Sequence, residues 1–167
     1  VIYPIVMGWQ WGGGWLAEIG FSDFAGSTLV HSTGGAAALA GIMLLGARTG
    51  RFDSKGNPKA LQPFAASSIP LVTIGVFILW LGWFGFNGGS QLALGTFDDA
   101  VAISTIFINT NLAACGGVLA AGVITRLMYG KTDVIQMLNG AIGGLVAVTA
   151  EPLAPSPLAA IFIGAVG

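Results

Sequence analysis

The feature that most constrains this chain is the length and number of its apolar runs. Four stretches, about Phe24 to Ala47, Pro63 to Ser90, Ala100 to Tyr129 and Val134 to Ala150, run almost without charge. Each reaches the ~17 to 25 residues with which a helix crosses a hydrocarbon layer ~30 Å thick, the last only at its lower limit. One soluble core cannot absorb four such runs in 167 residues, so a lipid bilayer has to cover most of them. Composition agrees: 8% of residues are charged, against roughly 25% in a soluble domain. The expected fold is all-α, a polytopic transmembrane helix bundle with no separate soluble domain. Glycines such as Gly116-Gly117 and the run Gly140-Ala141-Ile142-Gly143-Gly144 fall inside the spans. Small residues there let backbones approach where lipid provides no hydrophobic drive, which predicts a compact bundle.

The charges orient the spans. All six basic residues lie in two loops, with Arg48, Arg51, Lys55 and Lys59 after the first span and Arg126 and Lys131 at the end of the third. The connections from Gln91 to Asp99 and from Glu151 to Pro157 carry acids and no Lys or Arg. By the positive-inside rule the basic loops are cytoplasmic, so the first span runs inward and the second outward. Residues 1 to 10 read as the tail of a preceding helix, and the apolar run Leu158 to Gly167 is too short to cross. No basic leader with a cleavage site precedes the first span. These features predict a piece of a longer protein.

A net charge of −1 with both signs sparse offers no surface for phosphates, so nucleic acid is not an expected partner. Cys115 is the only cysteine, which excludes an intrachain disulfide and a cysteine-built metal site. It reads as a small buried filler. No cofactor or metal is expected.

Polar groups in hydrocarbon are costly, which singles out Asp23, His31, Asn87, Ser90 and Asn109, with Trp11, Trp83 and Phe86 as aromatic companions. His31 is the only histidine. Eight residues after Asp23 on an inward-running helix, it should lie about 12 Å deeper at ~1.5 Å per residue. It reads either as a core imidazole satisfied by a neighbouring helix or as a pore-lining proton relay or hydrogen-bond station. Asp23, Ser27 and His31 at i, i+4 and i+8 do not make a hydrolase triad, because the acid would sit two turns from the imidazole. Asp23 fits better as an N-cap or first-turn acid, without excluding an attraction for cations at the outer mouth.

Trp83, Phe86, Asn87 and Ser90 fall at i, i+3, i+4 and i+7 and share one helical face. On an outward-running helix Ser90 is outermost, with Phe86 about 6 Å and Trp83 about 10 Å below it. A mouth hydroxyl, an aromatic constriction and a histidine are thereby stacked along one possible path. An ordinary aromatic packing stripe is the alternative. Trp9 and Trp11 before Gly12-Gly13-Gly14 suit the outer membrane boundary. One of those indoles is also placed to hold a small cation through its ring face.

The run Asp23-Phe24-Ala25-Gly26-Ser27-Thr28-Leu29-Val30-His31 resembles the signature of the Amt/Mep/Rh ammonium transporter family. Gly82-Trp83-Phe84-Gly85-Phe86-Asn87-Gly88-Gly89-Ser90 resembles its second motif, and Trp11-Gly12-Gly13-Gly14, Asn109-Thr110 and Asn139-Gly140 also fit. The resemblance implies an eleven-helix, inverted-repeat protomer, assembled as a homotrimer with one path per protomer. Residues 1–167 would form a partial transporter domain, from the end of helix four to the start of helix nine. It further implies that Trp11, Ser90 and Asp23 recruit ammonium or methylammonium at the outer mouth. Phe86 would be the inner of two gating phenylalanines, while Trp83 and His31 line the pore. Glu151-Pro152 is less typical of the family but falls in an outer loop. PII-type cytosolic regulators dock on bacterial relatives, so the loop Arg48 to Lys59 is either a contact for one or simply solvated.

The implied mechanism recruits ammonium, strips its hydration, separates a proton and passes neutral ammonia through the apolar section, because bare charge transfer there is costly. An ammonium sensor of the same fold and an Rh-type neutral gas channel are the alternatives. An intramembrane enzyme is disfavoured, since the spans hold no metal-ligand cluster and no workable nucleophile–base pair. The expected location is the cell membrane, either plasma or bacterial inner.

Overall fold

In the computed structural model the described residues are 1–53, 56–57 and 65–167; Lys55, Lys59 and Pro63 lie outside them. Regular structure among the described residues is helical. In order these are α1 (Ile2–Gln10), α2 (Trp15–Glu18), a π-helical turn (Ser27–Ser32) running directly into α3 (Thr33–Leu45), α4 (Ile69–Gly89), α5 (Phe97–Tyr129), α6 (Val134–Val148) and α7 (Pro157–Val166).

Most helix starts are set locally by capping side chains, which accept from first-turn amides that have no intrahelical partner. Ser68 accepts from the Leu71 amide, Asp133 from those of Ile135 and Gln136, and Ser156 from that of Ala159. Thr96 and Asp99 form a reciprocal capping box at the head of α5. Gly46 (φ 72) and Gly130 (φ 71) stop α3 and α5 in a conformation open to glycine.

Among the described residues, three helical segments are long and apolar enough to cross a membrane: Ser27–Leu45, Ile69–Gly89 and Phe97–Tyr129. Two expected boundaries shift. The first helix starts at Ser27, not Phe24, because the chain reaches it through Gly26 in a left-handed conformation (φ 111). The second starts at Ile69, behind the Ser68 cap and with a proline in its first turn. The fourth expected span also falls short: α6 has 15 residues, about 22 Å. Thr149 and Ala150 leave the helix as a turn, as suits a segment leading into Glu151 ahead of Pro152. By contrast α5, with 33 residues, is about 50 Å long.

The packed centre lies where α5, α6 and α7 meet, with α4 laid against α5 and α6. It is built from small residues. A Cβ on Gly117 would collide with the Gly140 carbonyl and one on Gly140 with the Gly117 carbonyl, while Cβ atoms on Gly144 and Gly164 would both strike the Ala113 carbonyl. The close backbone approach expected from the glycine runs is therefore present, and it joins three helices. The opposite side is open among the described helices: of these, α3 touches α1 and the π-turn alone. Its Leu39, Ile42, Met43, Leu44 and Leu45 are exposed, as are Ile74, Ile78 and Leu81 on α4. Such faces are stable only against lipid or further apolar helices.

Candidate functional site

Asp23 is 2% exposed, and its carboxylate organises the entry to α3. Oδ1 accepts from the amides of Gly26 (2.9 Å) and Ser27 (3.0 Å). Oδ2 accepts from those of Thr28 (2.8 Å) and Leu29 (2.9 Å). One buried anion thus satisfies four amides at the positive end of a helix, an arrangement favoured by charge-assisted hydrogen bonding and the helix dipole. The Trp11 indole Nε1 donates to the Asp23 carbonyl at 2.8 Å, which fastens the end of α1 to the same loop. Gly26 is needed for its left-handed φ and for space, since a Cβ there would press on the Val30 side chain and approach the Trp11 ring.

Because helical structure begins only at Ser27, His31 lies four residues, about 6 Å, into the helix. The ~12 Å expected below Asp23 counted eight helical residues, of which only those from Ser27 onward are helical. The π-turn accounts for the start of the helix and for a wider backbone ring at the histidine.

His31 meets the α4 aromatics directly. Its ring stacks on Trp83 with centroids 5.0 Å apart and 25° between planes, and lies 5.4 Å from Phe86. Trp83 and Phe86 are themselves 5.8 Å apart. The three rings line one cavity of about 220 Å³ together with Ile78, Leu79 and Gly82. His31 Nε2 is buried and has no hydrogen-bond partner among the described residues. Ser90 caps the C-terminus of α4 one turn above Phe86, and its hydroxyl donates to the Phe86 carbonyl at 3.0 Å. The structure thus forms two groups, Trp11 with Asp23 and His31 with Trp83 and Phe86, and Ser90 sits beyond the second at the C-terminal end of α4.

A polar chain that spacing did not single out supports the aromatic group from behind. Trp83 Nε1 donates to Thr149 Oγ1 at 2.8 Å. The Thr149 hydroxyl is within reach of Asn87 Oδ1 (3.1 Å) and of the Leu145 carbonyl (2.6 Å), and Asn87 Nδ2 donates to Thr110 Oγ1 at 2.9 Å. Asn87, Thr110 and Thr149 are each 0% exposed. Asn109 lies apart from this chain and ties α5 to the loop before α7, its Nδ2 donating to the carbonyls of Pro152 (2.9 Å) and Pro155 (2.8 Å). Asn87 and Asn109 were visible as polar residues in apolar runs, whereas Thr149 carried no signal beyond its place near a helix end. No group of three or more metal-ligating side chains forms among the described residues.

The sequence profile of the Ammonium Transporter Family matches residues 1–167. The chain is 46% identical over 99% of its length to ammonium transporter Amt2 of Archaeoglobus fulgidus, and 38% identical over 98% to ammonium transporter 1 member 2 of Arabidopsis thaliana. It spans 36% and 35% of those two proteins, about a third of the length of the curated relatives. Among solved structures it resembles a sensor Amt protein, with a TM-score of 0.88 and 36% identity over 99% of this chain and 41% of the other. It also resembles Saccharomyces cerevisiae Mep2, with a TM-score of 0.83 and 33% identity over 99% of this chain and 36% of the other. The fold is that of the corresponding third of these membrane proteins.

Proposed function

Because the chain belongs to the ammonium transporter family, we propose that its His31–Trp83–Phe86 cavity is one wall of a path that carries ammonium or ammonia across a membrane. The observation that carries this reading is the contact of His31 with both α4 aromatics around one shared cavity. The residues correspond to the end of helix four through the start of helix nine of the parent transporter, and the remaining wall comes from outside them.

In this reading Trp11, Ser90 and Asp23 form the recruitment end. The Trp11 ring face attracts the cation, the Ser90 oxygen replaces part of its hydration shell, and Asp23 acts by holding the loop that presents Trp11. Phe86 then gates entry, one turn below Ser90. Past it an ion in an apolar passage would cost far more than a neutral molecule, so the proton separates and ammonia proceeds along Trp83 and His31. The free Nε2 of His31 is chemically suited to exchange a hydrogen bond or a proton with the permeant. In this reading the parent is a homotrimer in a cell membrane, and its basic loop from Arg48 is either solvated or a contact for a PII-type cytosolic regulator.

The test is methylammonium uptake and ammonium-evoked current in the full-length parent. His31→Ala and Ser90→Ala should each change flux or selectivity by at least about tenfold, which corresponds to ~1.4 kcal/mol. Unaltered behaviour in both variants overturns the reading. A second reading, an ammonium sensor, is favoured by the likeness to a sensor Amt protein. Saturable ammonium binding without flux in the unaltered parent would select it.

A further inference from the structure

We infer that Thr149 is a positioning residue for the conduction path, holding both of its described walls in register from the end of α6. The inference rests on the path proposed above. Its hydroxyl accepts from the Trp83 indole, while its backbone carbonyl accepts from the Ala25 amide at 3.1 Å, next to the Ala150 carbonyl's bond to the Phe24 amide at 2.7 Å. The first bond fixes the ring on which His31 stacks. The other two fix the loop from which the Asp23 cap and the π-turn carrying His31 begin. One residue therefore sets the separation between Trp83 and His31 from both sides, through segments 66 residues and more apart in sequence.

Hydrogen-bond accounting separates this role from direct contact with the permeant. The Thr149 hydroxyl has one proton and two acceptors within reach, Asn87 Oδ1 and the Leu145 carbonyl, and it already accepts from Trp83. Its proton and one of its two lone pairs are engaged inside the protein, and the residue is 0% exposed, which keeps the permeant from the other. Thr149 acts through Trp83. Its bond also selects an indole orientation, since Trp83 has a single N–H donor and that donor is turned away from His31's group into the α4–α6 seam.

The experiment compares Thr149→Val, which keeps shape and loses the hydroxyl, with Thr149→Ser, which keeps the hydroxyl, in the full-length parent. Two quantities are read: methylammonium uptake, and the indole N–H hydrogen-bond band in ultraviolet resonance Raman, assigned by difference against Trp83→Phe. Thr149→Val should shift the Trp83 component and reduce uptake at least tenfold at wild-type membrane abundance. Thr149→Ser should leave the band in place and retain uptake within about threefold. An unshifted band in Thr149→Val, or equal impairment of the valine and serine variants, overturns the proposal. If Thr149→Val is poorly expressed, wild-type uptake and an unshifted band in Thr149→Ser still support it, and loss of either in that variant overturns it. Failure of the path itself is recognised separately: His31→Ala and Ser90→Ala would then both transport normally while Thr149→Val still shifts the Trp83 band. That outcome removes the conduction role and leaves only a structural bond.

Discussion

Replacing Asp23 by asparagine isolates what the carboxylate does at the head of the π-turn. Asparagine keeps one oxygen for two of the four amides and turns an NH2 toward the other two, so two donors lose their acceptor. At ~1 to 3 kcal/mol for each buried unsatisfied group, the folded state loses about 3 kcal/mol. The expected outcome is a clearly lowered thermal midpoint for the detergent-solubilised full-length protein. A wild-type midpoint would show that the four bonds contribute little. Asp23 illustrates what sequence makes legible at this scale. An acid just ahead of an apolar run announces a cap, but its grip on four amides depends on Gly26 entering at φ 111, and no spacing rule encodes that. Trp83 and Phe86 were legible as one face through their i, i+3 spacing. Their contact with His31 comes from packing between distant segments. Thr149 was not legible, because a threonine near the end of an apolar helix has no distinguishing pattern until its partner is known.

Among the elements, the glycine seam carries the sharpest expectation. A Cβ on Gly164 would run into the Ala113 carbonyl, a backbone atom that cannot swing aside as a side chain could. Gly164→Ala should therefore separate α7 from α5 and cost about 1 to 3 kcal/mol through overpacking. Gly75→Ala on α4 is the control, since nothing lies within 4 Å of its Cβ and alanine is the better helix former by ~1 kcal/mol. Melting curves should fall for the first and hold or rise for the second; equal behaviour would remove the seam as the source of rigidity. The existence of these helices was legible from apolar length, and the seam from its small residues. Helix ends were less so. Just past the end of α6 the carbonyls of residues 149 and 150 accept from the amides of Ala25 and Phe24, so the backbone that leaves α6 holds the loop ahead of the π-turn.

For the molecule as a whole, the direction proposed for each helix across the membrane rests on charge, and the packing bears on which helix ends share a side. Three of the ends assigned to the outer side are the end of α1, the start of the π-turn, and the end of α6. These meet one another, Trp11 at the Asp23 carbonyl and Phe24 and Ala25 at residues 149 and 150. Arg48 follows α3 and Arg126 lies in the last turn of α5, each at the other end of its helix. Helices that alternate in direction bring these particular ends together only if the basic loops share the opposite side. Single cysteines placed in an otherwise cysteine-free parent test this directly. Thr49→Cys and Thr132→Cys, in the two basic loops, should resist a membrane-impermeant maleimide in intact cells and react after permeabilisation. Leu94→Cys, in the loop between α4 and α5 and opposite in charge character, should react in intact cells. Labelling of Thr49→Cys from outside would invert the molecule. It would then place Trp11 and Ser90 on the cytoplasmic face, where recruitment of external ammonium through them is impossible, so this measurement decides the direction in which the proposed path is entered.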